Sequence, residues 1–317
     1  MTSSQPTQHS QQRSIYNISC LTLLAVGLSS CQPFDHKRQA EEIHIPHPSV
    51  HLQDKQNKLT QTEPLSPLSQ PHLANTNNER KTSTAHKSKP SAQARTTLKF
   101  IDTKKNGIDL RFVRFDDRDH KLVVADQPAG PGTRWFTARQ CAESQRGLAA
   151  INGGFFTPEG KPLGKIVSQG RSAGYINPSS LGTGFYYTSA TETQLIRRQK
   201  WSNSLGAVEA LQTGPFLIEN GKKTSGLNTS NQRVRSFIIW NGQHHWAIGY
   251  SSICSLNDLA AALNSDRLVG FPIKYALNLD GGRSSDMWVS ADVPHGKKEF
   301  RAFWNKDVRN FLVLKER

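Results

Sequence analysis

Two segments of the sequence end an apolar run on a polar side chain that is followed by two glycines. Residues 149–154 end on Asn152 before the glycine pair, and residues 275–282 end on Asp280. Glycine permits positive φ values and lets a ligand approach the backbone without a Cβ in the way. A carboxylate at such a strand tip has the chemistry of a base, a nucleophile or an orienting group. Because Asn-Gly and Asp-Gly are also ordinary turn dipeptides, the signal lies in the pair and not in either segment alone.

The elements that position these tips are predicted to be mostly strands. Short runs rich in Ile, Val and Phe, separated by clusters of Gly, Asn and Asp, are typical of β-structure. The first three such runs, at residues 98–102, 108–115 and 121–125, predict an antiparallel meander. Further strands are predicted at residues 148–151, 183–188, 208–212, 237–240, 246–250, 275–279, 287–289 and 311–314.

Helix signals are few. Residues 137–146 predict a helix with Thr137 as its N-cap and Gly147 as its stop, and residues 256–263 predict a second helix capped by Ser255. The Gly- and Ser-rich stretch 164–184 has no periodicity and is predicted to be a long surface loop. Since the helices are too few to alternate with strands, we predict an α+β class, a β-rich single domain of mixed or antiparallel sheets.

The amino terminus has the pattern of an export signal. The apolar run 15–28 is shorter than the roughly 20 residues that span a bilayer, which favours a cleaved signal over a permanent span. The tetrapeptide Leu28-Ser29-Ser30-Cys31 resembles a bacterial lipobox, which implies acylation of Cys31; an ordinary cleaved signal is the alternative. Gln32 favours outer-membrane over inner-membrane sorting. We therefore expect residues 1–31 to be a lipoprotein-type signal on an exported, periplasmic, membrane-anchored protein.

The segment that follows the signal is poor in apolar side chains. Between residues 32 and 95 there are seven prolines and a single aromatic residue, Phe34. Such a composition buries too little apolar area to offset the entropy of ordering the backbone. We expect residues 32–96 to form a disordered tether and residues 97–317 to form the folded domain.

Two cysteines, Cys141 and Cys254, fall within the predicted domain. An exported protein meets an oxidising compartment, where a disulfide between them is possible. Two separate buried thiols are the alternative, and the sequence does not decide between them.

The charge of the chain is strongly positive. The formal net charge is +15, and the residues after 96 hold 30 Lys and Arg against 19 Asp and Glu. This balance suits anionic partners such as phosphate polymers or lipid head groups, although a generally basic solvated surface is the simpler explanation. Export, and the lack of zinc-finger, helix-turn-helix or RNA-binding patterns, argue against nucleic acid.

For several other polar and aromatic residues, a structural role is favoured over a functional one. His244 and His245 lie between an Asn-Gly turn and Trp246, and since adjacent residues on a strand face opposite ways, one shared metal is not expected. Glu209 is a candidate second carboxylate, with a structural role favoured. No metal or cofactor is predicted, and the need for a divalent cation is open. Four tryptophans can stack on sugars but more often occupy cores, namely Trp135, Trp201, Trp288 and Trp304.

Several motifs follow one another along the chain in a defined order. They are Ile151-Asn152-Gly153-Gly154-Phe155-Phe156, Gln212-Thr213-Gly214-Pro215-Phe216-Leu217-Ile218 with Asn220-Gly221-Lys222, Arg233-Val234-Arg235-Ser236, the helix at 256–263, residues 276–285, and Asp307-Val308-Arg309-Asn310. As an ordered set they resemble the phosphodiester glycosidase family, most closely its bacterial periplasmic branch. The resemblance covers nearly all of residues 98–317.

That resemblance implies hydrolysis of a sugar that is joined through its anomeric carbon to a phosphodiester. Asp280 would activate water or stabilise an oxocarbenium-like sugar, and Arg235, with Arg233 or Arg309, would hold the leaving phosphate. Asn152, with the amides of Gly153 and Gly281, would hold sugar hydroxyls or phosphate. The motifs imply further substrate contacts from Gly154, Gln212, Thr213, Gly282 and Ser284.

The sequence also departs from the pattern of the family. Arg283 stands where the family commonly has a third glycine, and Ser236-Phe237 follows Arg235 where Thr-Ala is frequent. A long cation at position 283 narrows the site or adds a phosphate contact. The function implied is a hydrolase of envelope sugar-1-phosphodiesters, in polysaccharide or glycolipid metabolism. The alternatives are a non-catalytic lipoprotein that binds an anionic saccharide, and cleavage of the P–O bond.

Overall fold

A computed structural model describes residues 97–265 and 267–317, and these residues form 17 strands and two α-helices. The signal and tether predicted for residues 1–96 lie outside the described residues. The strands are β1 Lys99–Lys105, β2 Ile108–Asp116, β3 His120–Asp126, β4 Ala149–Asn152, β5 Ile166–Ser168, β6 Arg171–Ala173, β7 Gly184–Thr188, β8 Thr193–Arg197, β9 Glu209–Thr213, β10 Phe216–Glu219, β11 Lys222–Lys223, β12 Arg233–Trp240, β13 His245–Cys254, β14 Tyr275–Asn278, β15 Asp286–Val289, β16 Lys298–Arg301 and β17 Asn310–Glu316. The helices are α1 Ala138–Ser144 and α2 Leu256–Leu263.

The strands form three antiparallel sheets, which confirms the predicted β-rich α+β class with few helices. The first sheet has seven strands in the order β1-β2-β13-β12-β14-β10-β11. The second has the order β16-β15-β4-β17-β3, and the third has the order β6-β5-β9-β7-β8. β14 lies inside the first sheet and β4 lies at the centre of the second, so both predicted strand tips end interior strands.

One hydrophobic core is shared by all three sheets. The side chains that meet there include Ile248 of the first sheet, Leu312 of the second and Tyr186 of the third. Alternate residues of a strand face opposite sides of its sheet, so a strand that is covered on both sides is apolar throughout. β17 is such a strand, because Leu312 and Leu314 enter the shared core while Phe311 and Val313 face α1.

The two helices cover the outer faces of the first two sheets. Leu259 and Leu263 of α2 pack in a cluster with Phe237 of the first sheet, and Cys141 of α1 packs in a cluster with Phe311 of the second. Neither helix, nor any other in the described part of the chain, is long and apolar enough to cross a membrane. Because the helices cover the outer faces and the shared core covers the inner faces, both sheets are buried on both sides.

The helix caps follow the sequence signals with one exception. Thr137 Oγ1 accepts a hydrogen bond from the Gln140 amide at 3.1 Å, and Ser255 Oγ accepts one from the Asp258 amide at 3.0 Å. At the end of α1 the left-handed residue is Arg146, with φ 54°, and not Gly147. Gly147 is required by packing, since a Cβ there would lie 2.5 Å from Val313 Cγ1.

The predicted meander of the first three strands is wrong at its third member. β1 pairs with β2, but the other edge of β2 is occupied by β13. β3 therefore joins the second sheet, where Val124 is opposite Leu312 of β17.

The predicted loop at 164–184 is also partly wrong. It contains the hairpin β5-β6, and Ile166 pairs with Leu211 of β9. Each strand of this hairpin has only three residues, which is too few to produce a readable alternation.

Candidate active site

The two glycine-flanked strand tips meet, although they end strands of different sheets. Asn152 Nδ2 donates a hydrogen bond to the Asp280 carbonyl at 2.7 Å, and the Asp280 amide donates to the Gly153 carbonyl at 3.0 Å. On the far side of β14, Phe237 of β12 is opposite Asn278. Arg235, two residues before Phe237, therefore lies beside the chain that continues to Asp280.

The side chain of Asn152 makes three hydrogen bonds within the protein. Its Oδ1 accepts from Ser236 Oγ at 2.6 Å and from the Asp286 amide at 3.1 Å, and the residue is completely buried. Direct contact with a sugar, expected from the sequence, does not fit this geometry. Asn152 instead holds β4, β12 and the segment around Asp280 in one arrangement, so it is a positioning residue.

The backbone amides of Gly153 and Gly154 also donate hydrogen bonds within the protein. The Gly153 amide donates to the Asn310 carbonyl at 2.9 Å, and the Gly154 amide donates to Asn310 Oδ1 at 2.8 Å. A Cβ on Gly153 would lie 2.0 Å from Asn310 Oδ1. These glycines are required for close packing against β17, and their amides are not available to a substrate.

A cleft of about 430 Å³ opens beside Asp280. The candidate site residues Asp280, Arg233, Arg235, Gly281 and Gly282 line it, and so does Arg283, the cation that departs from the family pattern. Its remaining lining residues are Phe155, Leu181, Gly214, Pro215, Asn231, Leu256, Asn278 and Lys306. A larger cavity, of about 840 Å³, lies between β1 and residues 291–298 and contains none of the motif residues.

Asp280 is the only carboxylate among the described residues that line the cleft. Its Oδ1 accepts a hydrogen bond from the Gly281 amide at 2.9 Å, which orients the carboxyl group. Burial raises the pKa of Asp280, while the Ser284 hydroxyl, the Lys306 ammonium and the Gly281 amide oppose this shift. Ser284 itself is fully buried and does not line the cleft. A carboxyl group with a raised pKa inside a cleft is the usual property of a catalytic acid or base.

The two glycines after Asp280 are needed because they have no side chain. Gly282 has φ +62°, a conformation that side chains rarely adopt. A Cβ on Gly281 would lie 3.0 Å from the Val234 carbonyl and 3.6 Å from Arg235 Cδ. The absence of both side chains lets the Asp280 backbone approach Arg235 closely.

Arg235 is a buried cation without a carboxylate partner in the described residues. It is 6% exposed, and its Nε donates to the Cys254 carbonyl at 3.1 Å while Nη2 donates to the Asn231 carbonyl. Burial lowers the pKa of Arg235, and the positive charge of Arg233 acts in the same direction. A buried charge is costly unless an opposite charge compensates it, so this site favours an anionic ligand.

Three further cations line the same cleft, namely Arg233, Arg283 and Lys306. Arg233 Nη1 donates to the Gln232 carbonyl at 3.0 Å, and Arg283 Nε donates to the Trp304 carbonyl at 3.0 Å. Lys306 Nζ lies 4.2 Å from the centre of the Phe156 ring. Within 97–265 and 267–317, none of these cations forms an ion pair with a carboxylate. The cleft thus combines one carboxylate with four positive charges.

Comparison with known proteins identifies the family of this chain. Residues 145–315, more than half of the chain, match the family described as phosphodiester glycosidase (NAGPA). The chain belongs to the phosphodiester glycosidase family. This confirms the resemblance drawn from the ordered motifs.

A solved structure of low sequence identity has a similar fold, and a second is similar at a lower score. The catalytic domain of zebrafish N-acetylglucosamine-1-phosphodiester alpha-N-acetylglucosaminidase, auto-inhibited by its pro-peptide, is 15% identical, with a TM-score of 0.50 over 70% of this chain and 83% of that one. A hypothetical protein from Synechocystis is 17% identical, with a TM-score of 0.45 over 69% of this chain and 61% of that one. A search of curated protein sequences finds no matching relative.

Three motif residues of this member of the family do not reach the cleft. The Gln212 side chain bonds only backbone groups, including the Lys165 amide and the Gly182 carbonyl, and so fixes the loop before β7. Thr213 Oγ1 donates to the Asn278 carbonyl at 2.8 Å. Arg309 forms a buried ion pair with Asp126, in which Nε lies 2.8 Å from Oδ1. The substrate contacts expected of these residues are therefore replaced by contacts within the protein.

Sequence reasoning missed Asn278. This residue is 3% exposed and lines the cleft, and its Nδ2 donates to the carbonyls of Gly214 at 2.9 Å and Leu279 at 2.7 Å. Its Oδ1 is buried and has no hydrogen-bond donor among the described residues. The signal was present, because residues two apart on a strand face the same side and Asn278 lies two residues before Asp280.

The remaining candidates have structural settings. Cys141 and Cys254 are free buried thiols in different hydrophobic clusters, so the disulfide considered from the sequence is not formed. Glu209 is buried outside the cleft, where its Oε2 accepts from the Val124 amide at 2.9 Å. Burial raises the pKa of Glu209 to about 7. His244 Nδ1 lies 2.8 Å from Asp117 Oδ1, away from the cleft.

Proposed function

We propose that this protein hydrolyses the glycosidic bond of a sugar-1-phosphodiester. The observation that carries the proposal is the placement of one carboxyl group, Asp280, among four cations that have no carboxylate partner in the described residues. Membership of the phosphodiester glycosidase family supports the same reaction class.

A single carboxylate fits this chemistry. Most glycosidases need two carboxyl groups, because one must protonate an alkoxide leaving group. A phosphodiester leaves as a stabilised anion and needs little help from a general acid. Asp280 then serves as the base that takes a proton from water attacking C1, or as the group that stabilises positive charge on the sugar.

The cations bind the leaving group. Arg235 and Arg233 carry planar guanidinium groups that form paired, charge-assisted hydrogen bonds with phosphate oxygens. Their positive charge also stabilises the negative charge that develops on the phosphate oxygen as the C1–O bond breaks. Because Arg235 is already held by two carbonyl groups, it needs little reorganisation when substrate binds.

The other side of the cleft suits a sugar. Asn278 Oδ1 is an acceptor without a donor in the described residues, and a sugar hydroxyl would supply one. Phe155 and Leu181 offer apolar surface for the ring carbons.

A non-catalytic saccharide-binding lipoprotein is the second candidate, and Asp280 argues against it. A carboxylate among the phosphate-binding cations repels a bound anion, so it weakens simple binding. Its presence is explained when the carboxylate takes part in the reaction.

We also propose that the enzyme works in the bacterial envelope, held at a membrane through an acylated Cys31. The lipobox-like sequence supports this location, and a mass spectrum of the mature amino terminus tests it directly.

The test of the proposed function compares Asp280→Asn with the intact protein on synthetic sugar-1-phosphodiesters. We expect the substitution to lower kcat by about a thousandfold or more, because it removes the one carboxylate that the described residues contribute to the cleft. Binding of the same compounds should persist or tighten, since a like charge is removed. Glu209→Gln is the matched control and should keep the rate. A rate that survives in Asp280→Asn, or binding without any release of sugar by the intact protein, contradicts the proposal.

A further inference from the structure

Two adjacent aromatic side chains project into solvent between β16 and β17. Phe303 is 94% exposed and Trp304 is 57% exposed. Their ring centres lie 4.7 Å apart at an interplanar angle of 77°. Single exposed apolar residues are common on protein surfaces, but large aromatic rings presented side by side usually mark a binding surface.

The loop that carries these rings is fixed to the rim of the cleft. Arg283 Nε donates to the Trp304 carbonyl at 3.0 Å, and the Lys306 amide donates to the Arg283 carbonyl at 2.9 Å. Asn305 Nδ2 donates to the Ser285 carbonyl. Arg283 and Lys306 therefore belong both to the cleft and to the anchor of the loop.

The two ends of the loop are held as well. Arg301 Nη1 pairs with the buried Asp286 Oδ2 at 2.9 Å, and Arg301 Nη2 lies 3.9 Å from Asp307 Oδ1. The backbone that presents Phe303 and Trp304 is thus ordered before any ligand arrives. A preformed surface loses less conformational entropy on binding.

We propose that Phe303 and Trp304 form an aromatic ledge that stacks on a sugar ring attached beyond the phosphate. This inference rests on the proposed function and names its substrate class, a saccharide chain linked through glycosyl phosphates. Arg283 and Lys306 line the same cleft as the phosphate-binding Arg235 and Arg233. The second ester group of a phosphate bound there therefore lies next to the loop that Arg283 and Lys306 anchor. Sugar rings present C–H faces that pack on aromatic rings, and aromatic side chains offer large contact area with few rotatable bonds.

A lipid surface is the competing partner for exposed aromatic rings, and the surroundings of the ledge favour the saccharide. Arg283, Asn305 and Lys306 flank the rings with polar and charged groups, which suit hydroxyl and phosphate groups. Insertion into a membrane needs a broader continuous apolar face.

The test uses two substrates of the same sugar, a methyl phosphodiester and an oligomer of three glycosyl-phosphate repeats. For Trp304→Ala in the full-length protein we expect KM to rise about tenfold on the oligomer and to stay within about twofold on the methyl compound. Trp304→Phe keeps a ring and should recover most of the loss. Val208→Ala truncates another exposed apolar side chain, just before β9, and should match the intact protein on both substrates.

Each other outcome has a defined meaning. An unchanged KM on the oligomer, or equal losses on both substrates, overturns the ledge. If Trp304→Ala instead weakens binding to phosphatidylglycerol vesicles and leaves the oligomer KM unchanged, the surface faces a membrane and the saccharide proposal is wrong. If the intact protein hydrolyses neither compound, the proposed function fails separately. Calorimetric titration with the oligomer then still tests the ledge, which predicts about tenfold weaker binding by Trp304→Ala.

Discussion

At the scale of the residue, the cleft contains a buried cation that forms no ion pair within the part of the chain that the structure describes. There, Arg235 donates to backbone carbonyl groups alone, and Asp280 is oriented by a backbone amide while burial raises its pKa. Both groups are in states that cost free energy in the isolated protein. An anionic substrate that also offers a site for base catalysis relieves both costs.

Arg233 allows the phosphate-binding role to be tested without disturbing the fold. It is exposed and lines the cleft, and the only hydrogen bond that its guanidinium makes in the described residues is with the adjacent Gln232 carbonyl. We expect Arg233→Ala to raise KM for a sugar-1-phosphodiester about tenfold at low salt, as fits the loss of a charge-assisted hydrogen bond. High salt should shrink the difference. Arg139→Ala removes an exposed arginine from α1 and should leave KM unchanged; equal effects of the two substitutions would mean that only net charge matters.

The sequence located the chemistry of the site better than the individual contacts. Asp280 and Arg235 could be identified because their side-chain types match a reaction. Asn152 and Gln212 belong to equally clear motifs, yet the side chains of both make several hydrogen bonds within the protein. A motif records that a side chain is needed in one place, and only the packing around it reveals whether it contacts substrate or holds a neighbour.

At the scale of the element, the site depends on two strand ends from different sheets. Asn152 at the end of β4 bonds the Asp280 carbonyl, the Ser236 hydroxyl and the Asp286 amide. Without this side chain the two sheets lose these three hydrogen bonds, and the hydrogen bond from the Asp280 amide to the Gly153 carbonyl remains.

Asn152→Ala should therefore loosen the site as well as the fold. It leaves three buried polar groups without their partner, so we expect the free energy of unfolding to fall by about 2–4 kcal/mol. We also expect kcat to fall at temperatures where the variant is fully folded, because Asp280 is no longer held in place. Urea denaturation and steady-state rates on the same samples measure both effects. A stability loss with an unchanged kcat would show that Asn152 does not position Asp280.

Strand prediction succeeded where the apolar pattern was long and failed where pairing decided the outcome. β2, with nine residues, and β17, with seven, carry clear apolar patterns. β5 and β6 have three residues each, and their existence depends on the edge offered by β9. The placement of β3 depends on β13, which lies more than a hundred residues away along the chain, so local sequence could not predict it.

At the scale of the whole molecule, the three sheets and two helices bury carboxyl groups and thereby raise their pKa values. Burial raises the pKa of Glu209 to about 7 and that of Asp286 to about 6. A carboxyl group with a higher pKa in the folded state binds its proton more tightly there. Its contribution to stability is complete below its unfolded pKa and is lost as the pH rises through the folded value.

The free energy of unfolding should consequently decrease between about pH 5 and pH 8. We expect Glu209→Gln to reduce this decrease by roughly 1–3 kcal/mol, because it removes a buried group that titrates in this range. Urea unfolding at several pH values measures the change. Glu316→Gln, which alters an exposed carboxylate on β17, should keep the full pH dependence. An identical slope in the intact protein and Glu209→Gln would rule out titration of Glu209 as a cause.

The common core of the three sheets was not predictable from the sequence, although the class of fold was. Apolar alternation identifies which face of a strand is buried, but not which sheet covers it. Ile248, Leu312 and Tyr186 meet only because strands far apart in sequence assemble around one interior. The convergence of the two strand tips follows from that assembly.

The central claim, that the C1–O bond of a sugar-1-phosphodiester is broken at Asp280, is tested most directly by hydrolysis in ¹⁸O-labelled water. We predict that the intact protein places the label on the released sugar, and that the phosphate product carries none. Incorporation of the label into the phosphate would show attack at phosphorus and would contradict this account.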